Sequence, residues 1–106
     1  MKHFYAGTFI NRDDLKKIGV NYPIKLDYYK IKSNENLLTD SITKYGIEVV
    51  KTSYINEIVE IENIQIQEFI EDENIVNSIL DKMKKNEVTP ISAKYIVEDL
   101  LKDMVS

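Results

Sequence analysis

Tyr45-Gly46-Ile47-Glu48-Val49-Val50-Lys51 leads through Tyr54 to the polar pair Asn56-Glu57, and the chain resumes as Ile58-Val59-Glu60-Ile61 and Asn63-Ile64-Gln65-Ile66-Gln67-Glu68-Phe69. Two runs rich in β-branched residues with partial alternation, joined by two polar residues, predict an antiparallel hairpin. Asn56 suits the tip because asparagine tolerates positive φ better than most residues. In the first arm Tyr45, Ile47 and Val49 face one way and Val50 the other. In the second arm Val59 and Ile61 are odd-numbered whereas Ile64 and Ile66 are even. Strict alternation cannot change phase without a bulge or bend, which places an irregularity at Glu62-Asn63.

Upstream, Ile24 to Lys32 reads as a further strand, with Ile24, Leu26 and Tyr28 on one face and Tyr29 and Ile31 on the other. Phe4 to Phe9 reads as an edge strand. Between them, Asn11 can cap a short helix with Asp13 and Asp14 in its first turn, which Gly19 would end in the left-handed conformation. Ser33 to Lys44 reads as a polar connection anchored by Leu37, Leu38 and Ile42.

Downstream, Asp72 can cap a helix whose Ile75, Val76, Ile79, Leu80 and Met83 form one apolar stripe, with Asn86 at its end. Thr89 can cap a second helix with Pro90 in its first position, where a missing N–H costs nothing. Ala93, Ile96, Val97, Leu100, Leu101 and Met104 line its stripe. Each large apolar side chain gains roughly 1.5–3 kcal/mol on burial, so both stripes and the sheet most simply bury one another.

The expected fold class is α+β. A three- to four-stranded antiparallel β-meander is packed on one face by two C-terminal helices, with a short helix near the N-terminus. Residues 1–106 form one domain: an N-terminal strand and short helix over 1–23, the sheet over 24–69, and two helices over 72–104.

Composition narrows the function. The 106 residues include no cysteine, which excludes disulfides, thiolate metal sites and a cysteine nucleophile. No signal-peptide core opens the chain, and no apolar run approaches the roughly 20 residues of a membrane helix. A cytoplasmic protein without membrane contact is the expectation. The net charge of −4 is unevenly spread. Residues 1–51 carry nine basic and six acidic side chains. Residues 52–81 carry no lysine or arginine against eight acids, and residues 82–106 carry five basic and four acidic. Direct nucleic-acid binding is not expected, because it needs a clustered basic surface.

The order Tyr28-Tyr29-Lys30, then Tyr45-Gly46-Ile47-Glu48, then Asn86-Glu87-Val88-Thr89-Pro90-Ile91 ahead of Val97-Glu98-Asp99-Leu100-Leu101 resembles a family of small uncharacterised domains from spore-forming clostridia. The resemblance covers roughly residues 24 to 101. It implies a fold and no functional residue, since that family has no assigned activity.

Chemistry has few footholds. His3 is the single histidine and lies near the terminus, which suits a surface residue better than a general base with partner and pocket. Glu71-Asp72-Glu73-Asn74 is rich in oxygen but lacks the spaced calcium loop, and helix-start acids explain it. Glu48, Glu60 and Glu62 could converge as catalytic carboxylates, or be the wet side of a half-buried sheet. There is no nucleophile elbow and no phosphate loop. The expectation is a protein with no catalytic, cofactor-binding or metal residues.

What remains is surface. The acidic run predicts an interaction surface of Glu57, Glu60, Glu62, Glu68, Glu71, Asp72 and Glu73, joined by Tyr29 and Tyr54, for a protein partner with a basic surface. Solvation alone is the plainer reading of the acids. Tyr29, Ile31 and Val50 point away from the main apolar face, where the N-terminal segment or a second copy could cover them, so a homodimer stays open. Three functions follow in order: a small non-enzymatic interaction or regulatory module, an acidic nucleic-acid mimic that inhibits a DNA- or RNA-binding protein, and a small-molecule binder.

Overall fold

The structure, a computed structural model, describes residues 1–11, 13, 16–36 and 41–105. Four strands, β1 (Lys2–Ile10), β2 (Ile24–Asn36), β3 (Ser41–Ile55) and β4 (Ile58–Ile70), are followed by helices α1 (Glu73–Lys85) and α2 (Pro90–Val105). The strands pair in sequence order, every pair antiparallel, as a meander. Both helices pack on one face of the sheet, so the α+β architecture and the β-meander follow the expectation.

Period-two alternation assigns the faces. Leu26 and Tyr28 from β2, and Ile47 and Val49 from β3, are fully buried toward the helices. Val76, Ile79, Leu80 and Met83 of α1 meet them, and Ala93 and Val97 of α2 complete the core. The α1 stripe is thus the predicted one, with Ile75 partly buried beside it. Asp72 caps α1, its carboxylate accepting from the backbone N–H groups of Asn74 and Ile75 at 2.9 and 3.3 Å. Asn86 is the C-cap and Pro90 opens α2, both as expected.

The chain between the helices turns without glycine. Val88 N–H donates to the Met83 carbonyl and Glu87 N–H to the Lys84 carbonyl, which is the Schellman pattern. Glu87 occupies its left-handed position with φ 50°. Buried Val88 packs with the same core cluster as Met83, the apolar contact that accompanies this motif.

The sheet corrects the sequence reading in two places. Ser33 to Lys44 is not a plain polar connection, because β2 continues to Asn36 and β3 begins at Ser41. Ser33 pairs with Lys44 and Asn34 with Thr43, and the Thr43 hydroxyl donates to Asn34 Oδ1 at 2.8 Å. Once the apolar centre has brought the strands together, each further pair closes backbone hydrogen bonds with no new loop to order. Leu37 and Leu38, two of the expected anchors, lie outside the described residues.

The second correction concerns Glu62-Asn63. No bulge lies there: Thr52↔Ile61, Lys51↔Glu62, Val50↔Asn63 and Val49↔Ile64 run in unbroken register. The phase change is a change of face. Ile64 and Ile66 point to the helices, and Val59 and Ile61 point to the opposite side. The register shift falls instead between Tyr45↔Ile70 and Ile47↔Ile66, where β4 spends four residues against two of β3. A second shift, between Phe4 and Ala6, inserts Tyr5 as an extra residue in β1. That bulge turns the Tyr5 hydroxyl toward α1, where it donates to Asp81 Oδ1 at 2.7 Å.

The helix expected after Asn11 passes through residues 12, 14 and 15, which lie outside the described residues. Within the described part, Asn11 Oδ1 accepts from the Asp13 N–H at 3.1 Å, and Gly19 takes φ 84°.

Candidate functional site

The sheet face opposite the helices is the surface that no element of the described chain covers. It presents Phe4 and Phe9 from β1, Asp27 and Tyr29 from β2, Glu48, Val50 and Tyr54 from β3, and Val59 and Ile61 from β4. Phe4, Phe9, Val59 and Ile61 are 61, 60, 56 and 67% exposed. Isolated exposed apolar side chains need no explanation, but four on one face of one sheet, two on each outer strand, set that face apart.

β1 answers where the N-terminal segment sits. It is the edge strand beside β2, and its outward side chains lie on the uncovered face. The Phe4 ring meets Tyr29 edge to face, with centroids 5.6 Å apart. Lys2 crosses the Tyr29 ring at 4.6 Å from its centroid to reach Glu48 on the next strand. Tyr29 is therefore half-buried, and Ile31 is buried.

Two carboxylates are sunk into this face. Glu48 is 3% exposed, with Lys2 Nζ 2.7 Å from its Oε1. Asn63 Nδ2 and Gln65 Nε2, both from β4, donate to its Oε2 at 2.9 and 3.2 Å. Burial pushes the Glu48 carboxyl up, but these donors outweigh it and hold the group below the usual glutamate value. Asp27 is 7% exposed, and its Oδ1 accepts no hydrogen bond among the described residues. Lys25 Nζ, on a half-exposed side chain, stands 3.7 Å away.

Gly7 shapes the surface above Asp27. A Cβ there would lie 2.8 Å from Asp27 Oδ1 and 3.3 Å from Phe4 Cζ. Its absence leaves an open notch of about 400 Å³ lined by Phe4, Gly7, Thr8, Phe9, Lys25 and Asp27. A second groove of about 390 Å³ lies at the end of the core, with Ile10, Val20 and Ile24 among its walls and Lys51 and Glu87 at its rim.

The residues singled out by the acidic run do not form one patch. Glu57 is exposed in the hairpin turn. Glu60 and Glu62 are exposed on the helix-side face, where β3 and β4 extend past the helices. Glu71 is exposed ahead of α1, Asp72 is occupied as its cap, and Glu73 pairs with Lys30 Nζ at 2.9 Å. The side chain of Glu68 lies outside the described residues. β4 pairs from Ile58 opposite Ile55 to Ile70 opposite Tyr45, so at about 3.3 Å per residue of β3 it holds Glu57 and Glu71 at ends roughly 30 Å or more apart. Glu48 points to the opposite face from Glu60 and Glu62, so the three cannot converge as catalytic carboxylates. Nor is Glu48 the wet side of a strand. Of the predicted surface, Tyr29 and Tyr54 both lie on the uncovered face but six β3 positions apart, the Tyr29 ring against Phe4 and the Tyr54 ring 6.4 Å from that of Phe9.

Sequence reasoning passed over Asp27 and Phe9 as site residues, and weighed Glu48 only beside Glu60 and Glu62. An acid between Ile47 and Val49, or between Leu26 and Tyr28, does carry a signal. A charge in the middle of a central strand is either solvated on an open face or held by partners across the ladder, and only the register distinguishes the two. His3 is exposed on the edge strand. Among the described residues no group of three acidic, histidine or cysteine side chains could hold a metal ion, and no helix is long and apolar enough to cross a membrane.

These features define a two-layer α+β domain with one helix-covered and one open sheet face, the open face apolar around two sunken acids. The chain belongs to a family of unknown function (DUF6514), which it matches over residues 10–103. No curated protein and no solved structure matches it.

Proposed function

We propose that this chain is a non-enzymatic protein-interaction module whose contact surface is the uncovered face of its sheet, and that its partner presents a basic group within an apolar surround. The observation that carries this reading is that Phe4, Phe9, Val59 and Ile61, each more than half exposed on the two outer strands, flank outward-facing carboxylates on the two inner strands. Apolar side chains flanking buried charge resemble the centre of a protein interface, where desolvated anchors supply affinity and charge supplies orientation. A reducing cytoplasm, expected from the lack of cysteine, is the compartment in which we place the contact.

The acidic run is the alternative surface, for a basic protein or as a nucleic-acid mimic displaced by polynucleotide. It draws mainly on Glu57, Glu60 and Glu62 at the hairpin end, since Asp72 and Glu73 are engaged within the fold.

The deciding experiment compares the intact chain, a face variant (Phe9→Ser with Ile61→Lys) and a hairpin variant (Glu60→Lys with Glu62→Lys). Each captures partners from native lysate, and the protein identified is then purified and titrated calorimetrically. The face variant should lose the partner and the hairpin variant should keep it. The reverse pattern would overturn the proposal in favour of the acidic surface. Mutual binding of two copies as the sole association would replace the partner with a homodimer.

A further inference from the structure

The two sunken carboxylates differ in one respect. Glu48 has an ammonium and two amide donors within 3.2 Å. Asp27, a strand away on the same face, is nine-tenths buried, and its Oδ1 accepts no hydrogen bond among the described residues. Buried acceptors are nearly always satisfied, and a carboxylate costs far more to leave unmet than a neutral group. Lys25 is near enough to lend charge but, at 3.7 Å, too far to donate. Its half-exposed, flexible chain can withdraw into solvent.

The surroundings of Asp27 select what could complete it. Gly7 leaves open the space that any side chain would fill, so Asp27 forms the floor of a notch rather than the wall of a packed layer. Phe4 and Phe9 stand over this floor, both largely exposed. A carboxylate below aromatic rings favours a cation, because ring faces attract positive charge as the carboxylate does. Guanidinium fits better than ammonium. It is weakly hydrated, planar enough to lie against a phenyl ring, and able to present two N–H groups to one carboxylate.

We propose that the notch over Gly7 receives an arginine side chain of the partner protein, its guanidinium donating to Asp27 between the rings of Phe4 and Phe9. This rests on the reading of the open face as a protein contact and names the group that face recognises.

The experiment needs no partner. The full chain, labelled for amide and carboxyl resonances, is titrated with N-acetyl-arginine amide, with its citrulline counterpart and with N-acetyl-lysine amide. The arginine probe should shift the amides of Gly7, Thr8, Phe9 and Asp27 and the Asp27 carboxyl carbon along one saturable curve. The uncharged citrulline probe should bind about tenfold more weakly or less, and the lysine probe should fall between. Asp27→Asn should abolish the response, and Gly7→Ala, which fills the notch, should reduce it. The Asp27 carboxyl resonance of the intact chain decides the matter if either variant fails to fold. Equal binding of arginine and citrulline probes, or no saturable shift at these positions, would overturn the arginine assignment. If the face variant loses its partner while the arginine probe leaves Asp27 unmoved, the notch fails and the interaction surface stands. If the probe binds while the face variant keeps its partner, the notch stands and the proposed docking face fails.

Discussion

The Tyr28 hydroxyl, in the middle of β2, donates to the Val88 carbonyl at 2.8 Å, joining the sheet to the turn between the helices. Tyr28 is fully buried, and burial, with the charge of Glu87 second, holds its phenol well above the ordinary tyrosine value. The bond fastens the turn to the sheet at the point where Val88 N–H also closes α1 on the Met83 carbonyl. Tyr28→Phe keeps the ring and removes the donor. It should lower the unfolding free energy by about 1–3 kcal/mol, because the Val88 acceptor is left unmet. Chemical denaturation of the two proteins with unchanged m-value checks this.

Glu87 holds a left-handed backbone position that glycine fills in most such motifs. A side chain there costs roughly 1–2 kcal/mol, part of which glycine's freedom in the unfolded chain offsets. Glu87→Gly should therefore raise stability by about 0.5–1 kcal/mol, read as a higher melting temperature, whereas Glu87→Val should lower it.

Glu48 supplies a pH signature. Its carboxyl is held below the usual value in the folded state, so its contribution is present above the unfolded value near 4.5 and lost as pH falls through the folded value. Intact protein should exceed Glu48→Gln by about 1–2 kcal/mol near neutrality, with the gap closing as pH falls below the unfolded value. Lys2 is held above its ordinary value first by the hydrogen bond to Glu48, so this one interaction is lost in acid as Glu48 takes up a proton and in strong alkali as Lys2 releases one. Urea titrations at several pH values separate the two limbs.

Val59 and Ile61 should be nearly silent in stability despite being aliphatic residues in a strand. Val59→Thr and Ile61→Thr keep β-branching and remove only exposed methyl surface, so each should change unfolding free energy by less than about 0.5 kcal/mol. Ile47→Ala, in the same hairpin but fully buried, should cost about 2–5 kcal/mol. The contrast, measured by thermal unfolding, separates the helix side of the sheet from the open side.

Local pattern sufficed for the hairpin, its Asn56 turn, the Asp72 cap, the Pro90 helix start and the stripe of α1. Each is a short-range preference: side-chain periodicity, a left-handed turn residue with φ 56°, a carboxylate accepting neighbouring N–H groups. The same patterns could not say how far the helices reach along the sheet. That reach makes Glu60 and Glu62 wet on the helix side and leaves Val59 and Ile61 on the open side, which periodicity alone turned into a bulge that does not exist. Nor could they show that Lys2 spans β2 to meet Glu48, or that Gly7 uncovers Asp27. Both depend on register between strands distant in sequence. Cross-strand pairing, set by the collective burial of one face, decides which charges find partners, and no local preference encodes it.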